Sequence, residues 1–216
     1  MVYQFKITLD DVSDPVVWRR FLVPSEITFE MFDYILQEAM GWTGYESYAF
    51  MPNGYDKQPW ILDKEMDDGE HSDTIEAAAV RISQYLNKPG DRIKYMYDMV
   101  YEWIHEVELE EIDKFNIAPS AILLEGGGAC PPEECGGPLL YKELKTILAD
   151  KNHPLFAEKT KWIIDNTFHT QEELLELQKE DVAPTTVWDP NEYVFANEKR
   201  FFDRENKNVI HDVIEE

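Results

Sequence analysis

The chain is 216 residues long, 44% hydrophobic and 13% aromatic, which supplies apolar material for a substantial core and argues against disorder. Its 44 acidic against 20 basic residues give a formal net charge of -24, a field that repels phosphate backbones and anionic lipid, so a basic protein or peptide is favoured as partner and duplex DNA is disfavoured. Residues 1–5 lack a signal-peptide pattern and no run approaches the roughly 18 apolar residues of a membrane span, so no membrane contact and a cytoplasmic location are expected.

Residues 3–9 alternate Tyr3, Phe5, Ile7 and Leu9 with polar neighbours, the period of a strand with one wet face. After the turn residues 10–15, a second β-rich run ends at Pro24. Trp18, Arg20 and Leu22 share one of its faces, and Val17, Arg19, Phe21 and Val23 the other, so whichever face is buried carries an arginine. Thr28 is placed to cap a helix with the apolar stripe Phe29, Phe32, Leu36, Ala39 and Met40, closed by Gly41. Residues 45–51 and 60–62 read as strands. Residues 63–73 form an acidic loop whose Asp67, Asp68, Glu70 and Asp73 could hold a cation, although the full calcium-loop pattern is missing.

A short helical piece near residues 83–86 precedes a Pro89-Gly90-Asp91 turn and a strand containing Ile93, Tyr95 and Tyr97. In residues 102–112 the partner strand puts Trp103, His105, Val107 and Leu109 on an apolar face, and Glu102, Glu106, Glu108 and Glu110 on a solvated one with Ile104. Farther on the period turns helical. Leu140, Leu144, Ile147 and Leu148 mark one helix, Pro154 opens another carrying Leu155, Trp162 and Ile163, and Thr170 to Glu173 has capping-box spacing for a third. Strands first and helices later predict an α+β fold: a ββαβ-type start, extended by a second hairpin into a mixed or mostly antiparallel sheet, with a helical C-terminal half.

Between the two halves lies Cys130-Pro131-Pro132-Glu133-Glu134-Cys135-Gly136-Gly137, with both cysteines, a diproline and two glycines. Three readings are open. In the first, Cys130 and Cys135 join His105, with His153 or Asp98, as a tetrahedral zinc site of a metal-dependent enzyme lying between the 98–105 hairpin and the cysteine loop. A second is structural: the loop is a cover, His105 is a hydrogen-bonded core residue, and Arg19 or Arg20 pairs with Asp98. Thiol chemistry at either cysteine is the third, opposed by Glu133 and Glu134, whose charge disfavours a thiolate. The aromatics scattered through residues 183–216 read as an irregular segment folded back on the domain, or as a recognition tail.

The chain resembles the plasmid pRiA4b ORF-3-like family. The likeness rests on Tyr3-Gln4-Phe5-Lys6-Ile7, Pro15-Val16-Val17-Trp18-Arg19-Arg20, Ala39-Met40-Gly41-Trp42, Pro89-Gly90-Asp91, Tyr97-Asp98 with Trp103 and His105, residues 129–138 and residues 150–154, in this order. Residues 1–177 are covered, leaving 178–216 as a C-terminal extension. Family members commonly read Tyr-Asp-Phe-Gly-Asp where this chain has Tyr97-Asp98-Met99-Val100-Tyr101, so a glycine turn and a second carboxylate are replaced. The resemblance implies an association with mobile elements but no defined activity. Together these features predict an acidic cytoplasmic binding or accessory module that recruits a protein partner, with the zinc-type enzyme as the alternative.

Overall fold

The computed structural model describes residues 1–42, 46–65, 67, 69, 73–116 and 120–167; the capped helix predicted at Thr170 and the aromatic segment 183–216 lie outside the described residues. Strand β1 (Val2–Leu9) pairs antiparallel with β2 (Trp18–Pro24), as the alternation and intervening turn predict. Helix α1 (Phe29–Met40) follows. Its cap Thr28 accepts the Met31 N–H at 3.2 Å, and Gly41 closes it at φ 79°, in the left-handed region that glycine enters without a Cβ penalty. Trp42 then donates its N–H to Gln37 at 3.0 Å and turns its ring into the core.

Strands β3 (Tyr48–Met51), β4 (Trp60–Leu62), β5 (Thr74–Glu76), β6 (Arg92–Tyr97), β7 (Trp103–Asp113) and β8 (Ile122–Gly127) complete an eight-stranded sheet of order β5-β4-β3-β6-β7-β1-β2-β8. It is antiparallel throughout except for the β4–β5 pair. The second hairpin, β6–β7, sits at its centre. Helices α2 (Gly137–Ala149) and α3 (Phe156–Thr167) supply the helical C-terminal half, so the α+β class and the largely antiparallel sheet stand as predicted.

Helix α1 lies on one face of the sheet. Phe32 meets Phe5 at 4.9 Å and stacks on Phe50 at 5.8 Å, and all three rings are fully buried. Tyr141 of α2 sets its ring edge-on against Trp103 and joins the same core with Leu144 and Ile163. A smaller cluster, Ala49, Met51, Trp60, Leu62 and Met96, covers part of the opposite face.

The short helical piece expected near residues 83–86 is a 3-10 helix, Ile82–Gln84. Three local expectations are corrected. Strand β3 begins at Tyr48; Tyr45, where the strand was expected to begin, lies outside the described residues. Helix α3 begins at Phe156, because Pro154 and Leu155 belong to the preceding turn. In α2 the buried stripe runs through Tyr141, Leu144 and Ile147, rotated from the expected one, and Leu140 is left 48% exposed.

Candidate functional site

The arginine buried on β2 is Arg19, 0% exposed among Val17, Phe21 and Val23. Its guanidinium gathers backbone from three places. Nε donates to the carbonyl of Ala39 at 3.1 Å, and Nη1 to those of Trp18, Gly127 and Gly128 at 2.8, 3.1 and 3.0 Å. Nη2 donates to Cys130 Sγ at 3.0 Å, and that sulfur lies 3.9 Å from Met40 Sδ. Gly128 makes the approach possible: at φ 69° it is left-handed, and a Cβ there would sit 2.7 Å from the Val16 carbonyl oxygen. Neither arginine pairs with Asp98. Arg20, on the wet face, instead grips Glu110 through Nε at 2.5 Å and Nη2 at 2.8 Å, and also donates to Glu125.

The cysteine loop is held along its length by β-sheet and α1 residues. Trp42 Nε1 donates to the Pro131 carbonyl at 3.2 Å, and the Tyr97 hydroxyl donates to the Glu133 carboxylate. Those two rings stack on each other, 4.5 Å apart and 12° from parallel. Cys135 donates its N–H to Pro132 at 3.3 Å, and burial pushes its thiol up to about 12. Both thiols lie near enough to the buried Tyr141 to raise its hydroxyl pKa, after the larger effect of burial.

His105 faces the core as the alternation predicts and is fully buried, with Trp42 edge-on at 5.3 Å and Tyr95 at 5.4 Å. Neither ring nitrogen makes a well-formed hydrogen bond. Burial lowers its pKa to about 3, only partly offset by the backbone of Tyr95 and Trp103, so the ring is neutral. Asp98 serves a turn. At φ 59° it accepts the N–H groups of Val100 and Tyr101 at 2.9 and 3.1 Å, while its own carbonyl accepts that of Glu102 at 2.7 Å. His153 occupies the turn before α3, its Nδ1 accepting the Leu155 N–H at 3.2 Å.

Among the described residues no group of three or more His, Cys, Asp or Glu side chains is gathered to hold a metal ion. The expected zinc set of Cys130, Cys135, His105, Asp98 and His153 is therefore not assembled. The sulfur of Cys130 faces a guanidinium, Asp98 closes its own turn and His153 caps another, so the geometry spends these groups locally. In the acidic loop, Asp67 accepts the Gly69 N–H at 3.1 Å, while Asp68 and Glu70 lie outside the described residues.

Sequence reasoning missed Asp33. It is buried in α1, accepting from the Tyr95 hydroxyl and from Gln37 Nε2 at 2.7 Å each, and burial raises its pKa to about 8. The signal was available: Asp33 and Gln37 fall four and eight residues after Phe29, on the apolar stripe of the helix.

The surface near the loop is acidic. Glu46 has its pKa raised by partial burial and then by Asp98, Glu134 and Glu133, which places four carboxylates around the ends of β3 and β6 and the cysteine loop. On the wet face of the sheet the acids are instead matched. Arg92 bridges Glu106 and Glu108 at 3.0 and 3.1 Å, and Lys94 meets Asp10 at 2.6 Å, so the predicted solvated glutamate face is an ion-pair ladder.

The family model described as plasmid pRiA4b ORF-3-like protein matches residues 1–176. The uncharacterized protein y4hQ of Sinorhizobium fredii (strain NBRC 101917 / NGR234) is 36% identical over 162 residues, covering 74% of this chain and 80% of that protein. The crystal structure of MM3350, a protein of unknown function from Methanosarcina mazei Go1, superposes with a TM-score of 0.66 at 23% identity. It covers 91% of this chain and 96% of the other, and shows a shared fold. Among the described residues no helix is long and apolar enough to cross a membrane.

Proposed function

Since this chain belongs to the plasmid pRiA4b ORF-3-like family, we propose that it serves there as an acidic binding or accessory module that recruits a basic protein partner. The mobile-element setting implied by the resemblance is part of this reading. One observation carries it: the charges acting on Glu46 are those of Asp98, Glu134 and Glu133, all of its own sign, whereas acids on the sheet face are bridged by Arg92, Lys94 and Arg20. Carboxylates held together make the local potential more negative and attract a cationic partner through a range set by ionic strength. The formal net charge of -24 extends that field and works against nucleic acid.

The test is direct binding of the full chain to a lysine-rich synthetic peptide, an acidic peptide of equal length and a DNA duplex, over a salt series. Binding is expected for the cationic peptide alone, weakening steadily as salt rises. Failure to bind it at low salt would reject this function. Cytoplasmic location belongs to the same reading, and fractionation of cells expressing the tagged chain checks it.

A further inference from the structure

We propose that the partner segment docks where the turn after β6 meets the first turn of α2, and that it carries an apolar side chain flanked by lysine or arginine; this rests on the binding-module reading above. Val100 is 80% exposed and Leu139 78%, with Tyr101 and Leu140 also open to solvent. Close approaches bring the turn that carries Val100 and Tyr101 against the start of α2, which carries Leu139 and Leu140. A Cβ added to Gly137 would lie 2.9 Å from the Tyr101 carbonyl oxygen, so the turn rests on the start of α2. Leu140 folds back over Gly136, where a Cβ would meet its Cδ1 at 2.5 Å. Exposed apolar groups gathered from two elements and rimmed by polar ones mark an interaction surface rather than scattered surface leucines.

The rim selects the occupant. Glu102, next to Tyr101, and Glu134, a few residues before α2, are exposed carboxylates; Glu133 is half-buried and tied to Tyr97, and Asp98 is buried in the turn, where its charge adds to theirs. A lysine or arginine lays its aliphatic stem along apolar surface while its head reaches a carboxylate, which matches an apolar centre with an acidic edge. Anionic lipid would be repelled by the same rim, and a second copy of this chain would bring like charge against it. The turn is also pre-organised: Asp98 at φ 59° and Glu102 at φ 52° are held by three hydrogen bonds inside the turn, so little ordering remains for binding.

The experiment measures affinity of the full chain for a lysine- and arginine-flanked peptide with a central leucine, and for the same peptide with serine there. The wild type is expected to prefer the leucine peptide. A Val100→Ser, Leu139→Ser double variant should lose about tenfold for it, as central apolar contacts do at interfaces, with little change for the serine peptide. Glu134→Lys should weaken both, and more than Glu158→Lys, which alters net charge equally on the exposed face of α3. Equal losses from Glu134→Lys and Glu158→Lys, or an unaffected double variant, would overturn this location while leaving the binding module intact. Absence of any peptide binding by the wild type would remove both. Unchanged thermal melts of the variants establish that the losses are not unfolding.

Discussion

Two consecutive arginines on β2 face opposite environments, and the contrast separates what holds this fold from what decorates it. Arg19 is sealed in the core and spends its donors on four carbonyls and a sulfur, whereas Arg20 stands on the wet face and grips two carboxylates beside the Trp18 ring, 5.2 Å away. Carbonyl acceptors come from backbone that cannot move away without unfolding its element. Carboxylates at the surface have water as an alternative. The same residue type is thus a fixed internal brace on one side of a strand and an exchangeable surface contact on the other.

The sharpest way to break the comparison is Arg19→Met. It strands the carbonyls of Ala39, Gly127 and Gly128, each an unsatisfied buried acceptor, and should cost about 3–5 kcal/mol in denaturant unfolding. A loss below about 1 kcal/mol, the scale of a surface pair, would put the two arginines in one class.

Buried titrating groups give the next largest effect. Asp33 is raised from 3.8 to about 8, so the folded state holds its proton where the unfolded chain does not, and stability falls as pH rises through that window. His105 is lowered from 6.5 to about 3, so the unfolded chain binds the extra proton, and stability falls as pH drops through that window. Where the windows overlap the two slopes oppose, giving a plateau. Asp33→Asn should expose the histidine slope and His105→Gln the aspartate slope, each approaching about 1.4 kcal/mol per pH unit in unfolding experiments. A flat profile in both variants would contradict this.

Smaller still is a difference in thiol reactivity. Cys130, beside the Arg19 guanidinium, should alkylate at least about tenfold faster than Cys135 at neutral pH, since only a thiolate reacts and Cys135 is held as a thiol. Peptide mapping after timed iodoacetamide exposure reads the ratio. Last comes Arg20→Ala, expected to cost about 1 kcal/mol or less, and less again at high salt. A larger, salt-independent loss would mean that packing against Trp18 outweighs the charges.

Legibility followed the local physics. The alternation in β1, the Thr28 cap, the Gly41 stop and the inward turn of His105 are consequences of neighbouring residues, and all could be read directly. Strand β8 was not, because Ile122–Gly127 ends in glycines that look like loop until Trp18 is seen lying over Gly127, where a Cβ would be 2.6 Å from its Nε1. The partners of Arg19 and Arg20 were also beyond the sequence, since carbonyls carry no residue signature and Glu110 lies 90 residues away. The rotation of α2 that buried Tyr141 in place of Leu140 depended on where Trp103 stood, a matter of tertiary packing. For the site, both cysteines, His105 and Asp98 stood out in the sequence, and the structure gives Cys130 to the Arg19 guanidinium, His105 to the core and Asp98 to its own turn. Their grouping was not visible, because convergence in space is not encoded by spacing along the chain.

The Arg19 fork has one more consequence, for the order of assembly. Its hydrogen bonds to Gly128 and Cys130 span 109 and 111 positions, so during synthesis this cation must wait for more than half of the chain before its last acceptors emerge. A fragment ending before β8 would bury an unsatisfied guanidinium or leave it wet and the hairpin ajar. The latch closes late and ties the two halves into one cooperative transition, so neither half is expected to be viable when expressed alone.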